Sequence, residues 1–188
     1  MSEALDLPKE HDVDVSWLDD MGEWGIKAEP SNRGMTLADI QISSYGELPD
    51  VSENQTGRPR GATARPEAYR VGDYGVNNVS EIWLDNAEFL YEEALQRQWS
   101  SATDVPWETI KPLPDDVEEA ECLLCTFFTE VESVAGDVPA RWIGKTSADY
   151  LEPRNVLAAQ VMDEARHMDV FRKRALANGG GLMRMSGS

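Results

Sequence analysis

The sequence predicts an all-α protein, with about three helices behind a long irregular N-terminal arm. Three observations predict it. From residue 79 onward, apolar residues recur at helical spacing. No stretch shows the apolar–polar alternation of a half-buried strand, and there is no internal repeat. Before residue 79, Gly, Pro, Ser, Asn and Asp recur every few positions, as in GRPRGATARPEAYRVGDYGVNN (57–78), and no apolar period survives more than one turn. The expected division is an irregular acidic arm over 1–78, a helical unit over 79–178 and a flexible tail over 179–188.

Within the arm, SWLDDMGEWGI (16–26) sets Trp17, Leu18, Met21, Trp24 and Ile26 amid acid, a short segment able to dock on a surface or to collapse on itself. The first helix is expected to be capped by Ser80 and to run through EIWLDNAEFLYEEALQRQW, with Trp83, Ala87, Leu90 and Leu95 near helical spacing. Pro106, Pro112 and Pro114 punctuate a connector over 100–114. A second helix is expected from Asp115 or Asp116, because acid in the first turns suits the helix dipole. It should continue to about Trp142, bending at Pro139 rather than stopping there. GKTSADYLEP reads as a turn, and a third helix from about Arg154 to Ala177 ends at Asn178-Gly179-Gly180-Gly181.

Charge narrows the function classes. The 188 residues include 35 acidic and 17 basic side chains, a formal net of −18. The excess acid is spread along the chain, with 15 acidic and 7 basic residues before residue 79 and 20 and 10 after it. Nucleic-acid binding needs the opposite sign, because neutralising phosphates drives it. An anionic membrane surface is disfavoured for the same reason. No apolar run approaches the roughly 20 residues of a membrane helix. The first residues carry neither a basic region nor an apolar core of a secretory signal, so a cytoplasmic location is expected.

The third helix carries the chemistry. Its apolar stripe, Leu157, Val161, Met168, Phe171 and Ala175, is interleaved with Gln160, Glu164 and His167. Glu164 and His167 are three apart and project from the same buried face. A desolvated carboxylate there costs several kcal/mol unless something pairs with it, and a divalent metal is one such partner. The tetrapeptide alone reads more simply as a surface Glu beside a partly buried, hydrogen-bonded His. The second helix changes that balance, because it too sets acid among apolar residues, Glu130 and Glu132 in LLCTFFTEVESVAG. With a turn at about 146–152, Glu132 lies about 21 Å before it and Glu164 about 18 Å after it. Antiparallel packing then brings the two level to within one helical turn. Glu130 would sit about 3 Å further off, so Glu132 is preferred and Glu130 is the alternative.

The run QWSSATDVPW (98–107), an acidic residue inside an apolar helix, and LAAQVMDEARHMDVFRKRAL (157–176) together resemble the ferritin-like di-iron carboxylate superfamily. The similarity is to its oxygenase and oxidase branch, which includes multicomponent monooxygenase hydroxylases, arylamine N-oxygenases and the ribonucleotide reductase small subunit. Asp163-Glu164-Ala165-Arg166-His167 is the specific part, and the resemblance spans about residues 80–180. It implies a ferritin-like half-bundle in which Glu132 is the single carboxylate ligand, Glu164 bridges two irons and His167 binds one. It further implies that Asp163 orients a ligand His of the opposite half-site and that Arg166 pairs with acid at the rim. The implied activity is O2 activation at two Fe ions per completed site and oxidation of a small organic substrate, with Mn a possible substitute.

That family builds its site from two half-sites, and one is visible here. The chain has two histidines, and His11 has no Glu three before it. Three readings follow. Two copies could pair and assemble the site from identical halves, or a partner subunit, or the rest of a longer chain, could supply the second half. Alternatively the chain is a metal-free helical interaction module with a vestigial site. A ferroxidase or iron-handling role is the alternative within metal chemistry.

Other features read as structural. Cys122 and Cys125 form a C-x-x-C, but mid-helix and behind Glu118, Glu119 and Glu121 it suits two small buried residues better than a redox pair. Trp99 and Trp107 read as covers for a helix end. Arg172, Lys173 and Arg174 sit in the last turns of the third helix, where the dipole favours cations.

Overall fold

A computed structural model of the protein describes residues 29–41, 48–82 and 85–185. The arm segment 16–26, His11 and Trp83 lie outside them. Among the described residues, four α-helices follow in order: α1 (Leu37–Gln41), α2 (Ala87–Gln96), α3 (Asp115–Lys145) and α4 (Leu151–Leu176), with 3-10 turns at Val79–Glu81 and Trp107–Thr109. The described residues contain no strand, only isolated bridges such as Val76 with Thr146. The fold is all-α.

Two helix starts differ from the sequence reading. Ser80 does not cap a long helix. The side chain of Asn78 accepts from the Ser80 N–H at 2.9 Å and closes a single 3-10 turn, which ends at Ile82 in extended conformation. α2 starts afresh at Ala87, whose side chain is fully buried. At the other boundary, α4 begins three residues before Arg154, because Pro153 occupies the third position of its first turn. There the missing N–H removes no intrahelical bond. α3 runs through buried Pro139 for 31 residues, and basic Lys145 closes its last turn.

α3 and α4 pack antiparallel along most of their length, and α2 lies against α4. The interface between α3 and α4 is partly polar. Cys122, Cys125, Thr126 and Thr129 are buried on α3, each threonine hydroxyl returning its hydrogen bond to the carbonyl four residues back. Phe128 stacks on Phe171 with ring centroids 5.0 Å apart. At the open end of the hairpin, Arg174 of α4 pairs with Glu118 of α3 at 2.6 Å.

The closed end is held by residues 48–82, which have little regular structure but bury several side chains. Tyr150, fully buried, donates to the Asn77 carbonyl at 2.9 Å, with the carbonyls of Pro49 and Asp50 close by. Asp149 accepts from Ser52 Oγ at 2.7 Å and Asn54 Nδ2 at 2.9 Å. Arg60 reaches under the turn to Glu152 at 2.7 Å and also donates to the Asp149 carbonyl at 2.8 Å. Both side chains of the Arg60–Glu152 pair are more than nine-tenths buried. Removing one partner of a buried pair strands the other's charge. Glu152→Ala is therefore expected to cost about 3 kcal/mol of stability, read as a lower urea midpoint.

Candidate metal centre

Register places the centre. Lys145 ends α3 and Leu151 begins α4, so Glu132 and Glu164 each stand 13 residues from the turn, about 20 Å along their helices. Gly136, one turn beyond Glu132, faces Glu164 closely enough that an added methyl would meet its Cβ at 3.5 Å. The small residue lets the helices approach where the carboxylates must meet.

Glu132, Glu164 and His167 converge there, each offering one ligand atom, and those atoms lie within 4.8 Å of one another. His167 Nδ1 is 3.0 Å from Glu164 Oε2, and the Glu132 carboxyl lies beside that of Glu164. Glu164 is largely buried, whereas the His167 ring is 42% exposed, so the group opens to one side. Desolvation, reinforced by Glu164, raises the Glu132 carboxyl above its usual range, and His167 opposes that only weakly. Two carboxylates and an imidazole held this close form a donor set that a divalent cation neutralises, and the mixture suits iron or manganese. The residues present fit a single divalent cation. Glu130 is exposed and stands outside the group.

Around the triad, Asp163 pairs with Arg166 on its own helix. The Arg166 guanidinium also lies 5.2 Å over the Trp99 ring and donates to the Trp99 carbonyl at 3.3 Å. Trp99 in turn stacks on His167, with centroids 6.5 Å apart and planes 26° from parallel. Its position against a candidate ligand was not visible in the sequence. Trp99 and His167 are 68 residues apart, and no local spacing links them. Trp107 instead donates its ring N–H to the Ser101 carbonyl, tying the connector to itself. Arg172 is exposed, while Lys173 reaches Asp169 and Ser101 Oγ, both at 2.6 Å.

Cys122 and Cys125 are free and buried. Burial, with Glu121 adding to it, pushes the Cys125 thiol up to about 11. Only the thiolate is nucleophilic, so alkylation of Cys125 by iodoacetamide at pH 8 is expected to run about a hundredfold slower in the folded than in the unfolded protein. Peptide mapping of the labelled chain checks it.

No family model matches the chain, and neither a curated protein nor a solved structure matches it.

A pH prediction follows from the triad. A carboxyl raised above its unfolded value costs stability where both states are ionised, and costs nothing once both are protonated. In metal-free protein, Glu132→Gln is expected to raise the melting temperature at pH 7–8. The gain should shrink as pH falls toward the usual carboxylate value of 4.5 and be gone below it, measured by calorimetry across that range.

Proposed function

We propose that this chain supplies one half-site of a di-iron carboxylate oxidoreductase of the O2-activating type. A second copy or a partner chain completes the centre. The observation that carries the reading is the convergence of Glu132, Glu164 and His167 from two facing helices onto one point. The ferritin-like character of the bundle belongs to the same proposal, supported by the Asp163-Glu164-Ala165-Arg166-His167 run and by the antiparallel α3–α4 pair. Two Fe(II) ions, when bound, would supply two electrons to O2, and the partly reduced oxygen would be the oxidant of a small organic substrate.

The chain's own residues do the holding. Glu132 and Glu164 offer hard anionic oxygens, and His167 offers a neutral nitrogen. Trp99 covers one face of the His167 ring, and Arg166 with Asp163 keeps Trp99 in place. Because His167 and Glu132 remain partly accessible, the open side is where the completing half must dock.

Anaerobic Fe(II) loading, followed by light-scattering mass and iron content, tests the reading. Two irons per pair of chains is the expected result. His167→Ala should abolish iron retention and the iron-dependent rise in melting temperature while leaving the metal-free melting temperature in place. A monomer that retains no iron would overturn the reading and favour a metal-free interaction module. Catalytic turnover of Fe(II) itself, with no organic product, would favour the iron-handling alternative.

A further inference from the structure

Away from the triad, α3 has a second apolar face. Val117, Leu124, Phe127, Val131, Val134 and Val138 are all exposed, from 40% at Val131 to 66% at Val134. With exposed Ala120 they form an unbroken series spaced alternately three and four residues apart. That is the spacing of a helix–helix seam, which keeps one stripe facing a partner helix over several turns. At 100° per residue the stripe lies opposite the face that holds Cys122, Cys125, Thr126 and Thr129 against α4. The described residues put no helix against it, since the other helix contacts are α2 on α4 and α1 on α2.

We propose that this seam binds a second copy of the same chain, α3 against α3 in antiparallel orientation. Charge selects both partner and direction. The helix begins with Asp115, Asp116 and Glu119 and ends with Arg141 and Lys145. Arg141 and Lys145 continue the same three-and-four series beyond Val138. A parallel pair would stack Arg141 on Arg141 and Lys145 on Lys145. Antiparallel pairing puts the basic end of each copy beside the acidic start of the other. Two antiparallel registers keep six apolar layers, and the one that also brings Arg141 beside the partner's Asp116 sets Leu124 against the partner's Val134 and Phe127 against the partner's Val131.

Other terms limit the strength. The seam is about 32 Å long, at the small end for a stable interface. Glu130 of each copy flanks the two-fold axis, where like charges approach. Association is therefore weak and concentration-dependent. Pairing here leaves both triads on the outer sides, so this inference stands apart from the metal reading and is tested without metal.

Light scattering of the metal-free chain across a micromolar concentration series should show mass rising from one chain to two. Val131→Glu, at the middle of the seam, should raise the dissociation constant at least about tenfold with the helical circular dichroism unchanged. Met162→Glu, at an exposed position of α4, should leave it unchanged. Under mild oxidation, Leu124→Cys mixed with Val134→Cys should cross-link, and neither variant alone should. The two copies of either residue would stand about 15 Å apart along the axis, beyond disulfide reach. A monomer at every concentration, dimerisation untouched by Val131→Glu, or self-cross-linking of either cysteine variant would overturn the proposal.

Discussion

Five residues between α3 and α4 determine how far one helix slides past the other, and that slide decides whether Glu132 meets Glu164. The two carboxylates stand at equal distances from the turn, so a shift of one helical turn, about 5 Å, would carry them out of register with each other. The closed end of the hairpin is built to resist that shift. Tyr150, Asp149 and Glu152 are buried against Asn77, Ser52, Asn54 and Arg60. A buried polar network of this kind is costly to break and tolerates one arrangement well. The irregular segment 48–82 thus sets the register of the helices that carry the triad.

At the site, the chain gathers three polar donors where a packed interface would prefer hydrocarbon. Glu132 shows the conflict directly, its carboxyl pushed upward by desolvation and by Glu164. A cation between the carboxylates would relieve that conflict, and this is the physical basis of the metal proposal. Gly136 fits the same account, since it clears space opposite Glu164 and offers no packing of its own.

α3 is the two-sided element. One face meets α4 and carries Glu132; the opposite face is a continuous apolar seam open to solvent. A helix apolar on both sides belongs between two neighbours, and the described residues provide one. Completing the metal centre and covering the seam are separate tasks on separate surfaces, which is why the iron content and the metal-free mass answer different questions.

Much of this was legible in the residues themselves. The all-α class, the long α3 and the end of α4 near Asn178 follow from local periodicity and from Pro and Gly, whose effects act within a turn or two of the chain. Glu132 was preferred over Glu130 by counting residues to an estimated turn, and the structure sets Glu132, not Glu130, beside Glu164 and His167. Two helix starts turned on local competition, and tertiary structure alone decided the rest. Ser80 lost its helix to the nearer Asn78 cap, and Pro153 entered α4 because a first turn does not need its N–H. Trp99 reached His167, and Arg60 reached Glu152, across 68 and 92 residues. Contacts that distant leave no spacing signal, because they depend on how whole helices and loops pack rather than on the chain's local geometry.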